Sequence, residues 1–137
     1  MESLWPKLEL LAINVPIKIL QEQVDSFNSQ MNGMLLCTLE KDNKPHDYYL
    51  HLNDYDYAAN LYIKSPALPD YRLQLVEVKY YVAKAYPCEV LNCIGEQLSI
   101  NGQTANNAEE FKNILRSIFN SQEVISTLQN ILAQGMC

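Results

Sequence analysis

Few side chains in this sequence could do covalent or metal chemistry, and their spacing limits what they could do. There are four cysteines, Cys37, Cys88, Cys93 and Cys137, and two histidines, His46 and His51. No C-x-x-C or H-x-x-x-H spacing occurs, so the compact zinc patterns are missing. Cys88 and Cys93 are five apart in a stretch that reads as one strand, which sends them to opposite faces. The same holds for His46 and His51. Asp54-Tyr55-Asp56 places two carboxylates on one side of an extended segment, enough for a magnesium ion. The calcium-loop pattern fails there, because the sixth-position glycine and the closing glutamate are missing. A solvated acidic loop is the plainer expectation. No G-x-S-x-G elbow, glycine-rich phosphate loop or dinucleotide fingerprint is present, and four glycines leave little room for one. The expectation is a protein without metal, cofactor or catalytic residues, and not an enzyme.

One further constellation could hold a metal. Pro69-Asp70 followed by Glu77-Val78-Lys79 resembles the PD…ExK pattern of a large nuclease superfamily. The resemblance covers about a dozen residues. It implies a metal between Asp70 and Glu77 and a lysine, Lys79, assisting the attacking water. Such a site needs a turn between the carboxylates. Residues 71–80 contain no turn former and read as continuous strand, which separates Asp70 from Glu77 by about 23 Å. They cannot then share one ion. A Pro-Asp turn and an exposed charge pair on a strand is the alternative.

The binding chemistry that remains belongs to tyrosine. All nine lie between 48 and 86: Tyr48, Tyr49, Tyr55, Tyr57, Tyr62, Tyr71, Tyr80, Tyr81 and Tyr86. Several alternate with acids. Tyrosine buries a rigid ring while keeping a polar tip, which suits binding hot spots, and neighbouring acids suit a basic partner. Tyrosine is also simply a good strand residue. The candidate binding residues are Asp47, Tyr49, Asp54, Tyr55, Asp56 and Tyr57, around one loop.

These residues need elements to position them. Pro16 opens a helix whose apolar residues Ile17, Leu20, Val24, Phe27 and Met31 recur at 3, 4, 3 and 4. Asn32-Gly33 ends it, giving a helix over about 16–31. Alternating segments follow around Leu35–Leu39, Tyr48–Leu52, Leu61–Ile63, residues 71–82 and from Cys88, with Leu98–Ile100 after Gly95. In 71–82 the apolar phase changes from Leu73 and Leu75 to Val76, Val78 and Val82. A bulge near 75–76 or burial of both faces would account for it. Asn106 with Glu109, and Asn120 with Glu123, have the spacing of capping boxes for two final helices. Phe111, Ile114, Leu115, Ile118 and Phe119 form one buried face. Val124, Ile125, Leu128, Ile131 and Leu132 form the other. Residues 5–14 fit either a short helix or an extended lead-in.

Strands grouped between helices predict an α+β fold. It would have an N-terminal helix, a central antiparallel sheet of about five to six strands, and two C-terminal helices packed on one face. A chain of 137 residues, 48% apolar and 19% charged, is expected to form a single domain over 1–137. The net charge of −6 is spread along the chain with no run of Lys and Arg. This argues against nucleic acid and anionic membranes as partners. Residues 1–7 lack the apolar stretch of a signal peptide. A cytoplasmic location follows as an expectation, and with it free thiols and no structural disulfide. The leading functional expectation is a non-catalytic domain that binds a basic protein, such as an inhibitor of the immunity-protein, antitoxin or phage anti-defence type. Two alternatives are a small-molecule-binding or enzymatic domain with a tyrosine-lined pocket between sheet and helices, and a homo-oligomer subunit using an open sheet face.

Overall fold

The computed structural model describes residues 1–9, 14–42, 55–94 and 102–136. Among the described residues, helix α1 (Pro16–Met31) leads into five strands: β1 (Leu36–Asp42), β2 (Tyr57–Lys64), β3 (Arg72–Tyr81), β4 (Lys84–Asn92) and β5 (Gln103–Ala105). Helices α2 (Ala108–Phe119) and α3 (Gln122–Gly135) follow. The strands form one antiparallel sheet in the order β1-β2-β3-β4-β5, a simple meander, and the fold is α+β as the pattern predicts.

Helix α1 begins at Pro16, whose fixed φ suits a first helical position and whose missing N–H costs nothing there. It ends at Asn32 and Gly33, with φ of 49° and 85°. These left-handed values favour Asn and Gly. The buried stripe differs in detail from the one predicted. Ile19 joins Leu20 and Val24 in the core, while Phe27 and Met31 are only half-buried. Phe27 packs against the margin of the core and also lines a groove between helices.

Helix α1 also protects an edge of the sheet. Asn28 Nδ2 donates to the Cys37 carbonyl at 3.0 Å, and the Cys37 N–H donates to Asn28 Oδ1 at 2.7 Å. One side-chain amide thus pairs with both backbone groups that edge strand β1 leaves free at this residue.

The phase change in β3 is a bulge. Leu61 pairs with Val76 and Tyr62 with Gln74, so Leu75 is the extra residue. Opposite residues share a face. Ala59, Val78 and Val90 therefore line up on one side, with Leu61 and Val76 beside them. Helix residues Leu20, Phe111, Leu115, Ile118 and Val124 meet this face to form the core.

The cap positions are one residue later than predicted. Asn107 caps α2, accepting from the Glu110 N–H at 2.9 Å, and a Glu110 carboxylate oxygen accepts from the Asn106 N–H at 3.1 Å. Ser121 caps α3, accepting from the Val124 N–H at 3.4 Å. Asn120 is occupied otherwise. It closes α2, donating its N–H and its side-chain amide to the Arg116 carbonyl. A tight junction gives each polar residue one end to satisfy.

The predicted strands at Tyr48–Leu52 and Leu98–Ile100 lie outside the described residues. Strand β5 sits just after the second of them, at Gln103–Ala105, where no strand was expected. Residues 1–9 form no helix. Cys37, Cys88 and Cys93 are free thiols. Among the described residues no helix is long and apolar enough to cross a membrane.

Candidate functional site

The described part of the predicted binding segment is Tyr55, Asp56 and Tyr57; Asp47, Tyr49 and Asp54 lie outside the described residues. Tyr57 opens β2 and pairs with Tyr80 of β3, their rings 6.1 Å apart. Tyr55 stacks on Tyr81, with centroids 4.7 Å apart. Exposed Asp56 accepts the Val82 N–H through Oδ1 at 3.0 Å, tying the start of β2 to the β3–β4 hairpin. Two tyrosine pairs and a carboxylate thus gather at one end of the sheet. Neither Tyr55 nor Tyr57 projects freely; both are half-buried.

This end of the sheet is concave. A cavity of about 480 Å³ lies between it and the start of α1. Tyr57, Tyr80 and Tyr81 line it from the sheet, Pro16 and Ile17 from the helix, and Val82 and Lys41 also contribute to its wall. Tyr80 is buried to 8% exposure, whereas Val82 is 61% exposed. The helix start is fixed by a bond from the Tyr86 hydroxyl to the Asn14 carbonyl at 2.6 Å. Burial raises the Tyr80 hydroxyl pKa, and the Tyr57 and Asp56 charges raise it further. Burial also raises that of Tyr55, helped by the charge of Glu89. These tyrosines act as neutral donors and acceptors at ordinary pH.

The Glu77–Lys79 pair is not exposed, which corrects the reading of it as a solvated strand pair. Glu77 is 6% exposed, Lys79 3% and Glu89 8%. All three lie on the sheet face opposite the core. Lys79 sits directly across from Glu89, and Glu77 from Asn60. Asn60 accepts from Gln74 Nε2 at 2.8 Å. None of the three charged residues lacks a partner. Glu77 and Lys79 sit in the central strand of the sheet and Glu89 in the next, and all three are buried despite their charge. Gly102 presses on the same cluster. A Cβ there would lie 2.6 Å from Glu89 Cγ and 2.9 Å from the Val90 carbonyl oxygen, so only glycine allows this close approach.

The PD…ExK geometry is absent. Asp70 occupies the turn before β3, at φ 66°, and Glu77 lies well along the strand. Among the described residues no three His, Cys, Asp or Glu side chains come together to hold a metal ion. Burial pushes the thiols of Cys37 and Cys93 up to about 11 and that of Cys88 to about 12. A thiol held neutral is a poor nucleophile.

Sequence reasoning singled out the acid-tyrosine segment as a candidate, and two features of this region played no part in it. One was the contribution of Tyr80 and Tyr81 to the same concavity. The other was the buried charged face. The Tyr80-Tyr81 doublet at a strand end carried a usable signal. The burial of Lys79 did not, because it depends on cross-strand register. No family model, curated protein or solved structure matches this chain.

Proposed function

We propose that this chain is a non-catalytic binding domain that receives a basic side chain of a protein partner at the tyrosine-lined end of the sheet. One observation carries the reading: Tyr57 of the acid-tyrosine segment lines the cavity of about 480 Å³ beside Tyr80 and Tyr81, and Asp56 next to it is bonded to Val82 in the cavity wall. An Arg or Lys entering there would meet the faces or hydroxyls of Tyr57, Tyr80 and Tyr81. Asp56 and the net charge of −6 would draw it in. A stoichiometric inhibitor of a basic partner, of the immunity-protein or antitoxin kind, is the role this chemistry suits.

A second reading has its own support. A cavity of this size falls in the range of small-molecule sites, and Lys41 in its wall would favour an anionic ligand. The two readings respond oppositely to charge. Asp56→Asn keeps the acceptor for the Val82 N–H but removes the charge. With a partner isolated by pull-down, this variant should associate more slowly and with a weaker dependence on salt. Tyr81→Ala should chiefly speed dissociation. Lys41→Gln should leave protein association unchanged or faster. If Asp56→Asn and Tyr81→Ala bind with unchanged rates while Lys41→Gln abolishes ligand-induced thermal stabilisation by an anionic compound, the small-molecule reading replaces the first.

A further inference from the structure

Lys41 is the one charged residue among the described residues that line the cavity at the tyrosine end. It stands on the same side of the sheet as two of the rings. Lys41 pairs with Ala59, and Ala59 with Val78; Tyr57 and Tyr80 lie two positions along from these and pair with each other. Among the described residues no acid answers its ammonium, which makes neither an ion pair nor a hydrogen bond. Glu40 beside it is held by Arg72, and Asp56 at the cavity margin accepts the Val82 N–H. The walls can be reached from water. Lys41, Val82 and Ala83 are exposed, and Val15, Ile17 and Tyr57 are half-buried.

A lone cation beside a ring-lined cavity fits one negative charge. A carboxylate suits it better than a phosphate monoester. The second charge of a phosphate would stay uncompensated, in the field of a chain whose net charge is −6. The second carboxylate oxygen needs a donor, and a tyrosine hydroxyl supplies one. Burial raises the Tyr80 pKa, which keeps that hydroxyl protonated. The rings decide the body of the ligand. Tyr57 and Tyr80 are 6.1 Å apart and tilted by 40°, so they offer a face and an edge. A planar ring gains from offset or edge-to-face packing on them, beyond the area it buries, and an alkyl chain does not. Pro16 and Ile17 give the opposite, apolar wall.

We infer, on the small-molecule reading of this cavity, that it binds a small aromatic carboxylate, with the ring between the tyrosines and the start of α1 and the carboxylate on Lys41. A ligand held there and a basic side chain of a partner would exclude one another.

Isothermal titration of the whole chain with three probes tests this: 2-naphthoate, octanoate and 2-naphthylmethylammonium. Naphthoate should bind about tenfold more tightly than octanoate. The ammonium probe, with the same rings and the opposite charge, should not bind. Lys41→Gln should weaken naphthoate about tenfold. Lys41→Glu should abolish its binding and admit the ammonium probe instead. Tyr57→Leu should weaken naphthoate about fivefold and leave octanoate unchanged, which also shows that the variant is folded. If none of the probes binds, the small-molecule reading fails, and the inference with it. If octanoate binds as tightly as naphthoate and both need Lys41, that reading stands and the aromatic class is overturned. Binding of the ammonium probe by the unaltered chain overturns the inference in favour of a basic partner. Naphthoate binding indifferent to Lys41→Glu lies elsewhere on the molecule and overturns it as well.

Discussion

The two faces of strand β3 are buried by opposite means. On one, Val76 and Val78 are fully covered and meet the helices through Leu20, Phe111 and Leu115. On the other, Glu77 and Lys79 alternate with them and are almost as inaccessible, beside Asn60 and Glu89. The first face is stabilised by removing apolar area from water. The second loses the hydration of its charges and must recover it through partners. Depth in this sheet therefore says little about hydropathy. Two charges sit in its middle strand, and neither is without a partner.

The largest effect tests the apolar face. Phe111 is wholly buried, its ring centroid 6.5 Å from that of Tyr86. Phe111→Ala should destabilise the fold by about 4 kcal/mol, transfer and cavity terms together. Urea denaturation measures it. A loss below about 1 kcal/mol would mean that the helices hold the sheet by other contacts.

A smaller effect is expected on the charged face, with a different signature. Lys79→Met keeps the length of the side chain and removes its cation, stranding Glu89 directly opposite. The expected loss is about 3 kcal/mol, because the cost lies in the carboxylate left behind. Lys79→Met/Glu89→Leu removes that carboxylate too and should regain much of the loss, as replaced buried pairs often do. A double variant no better than the single would place the cost in packing, and the contrast between the faces would collapse.

The apolar face was legible in the sequence because periodicity records it. Leu20, Val24, Phe111, Leu115 and Ile118 fall at helical spacings, and the switch at Leu75-Val76 marked a bulge that the strand pairing shows. Cap positions were legible only to one residue, since Asn106, Asn107, Asn120 and Ser121 all suit a cap and the choice depends on which end each one closes. The charged face was not legible. A Glu-Val-Lys run has the alternation of a half-exposed strand, and nothing local tells that Asn60 and Glu89 lie alongside. The site was legible in part. The acid-tyrosine segment stood out by composition, whereas Tyr80, Tyr81 and Lys41 join it only through register and the approach of α1.

The smallest effect sharpens the comparison from within the charged face. Toward its far end Arg72 Nη1 donates to both Glu40 carboxylate oxygens, at 2.9 and 2.8 Å. Both side chains are nearly half exposed, at 44% and 48%. One nitrogen serves both oxygens, so the pair lacks the two parallel bonds of a guanidinium fork. The guanidinium also lies over the Tyr62 ring, 3.8 Å from its centroid. That contact survives the loss of Glu40. Water and salt screen an exposed pair, and holding two long side chains in place costs entropy. Glu40→Gln should therefore cost less than about 0.5 kcal/mol, and the difference should fade further at high salt. Arg72→Ala should cost more, because it removes the stacked stem as well as the charge. The measurement is again denaturation, at low and high salt. A Glu40→Gln loss as large as that of Lys79→Met would mean that the whole face behaves as one network, and that exposure does not separate its two ends.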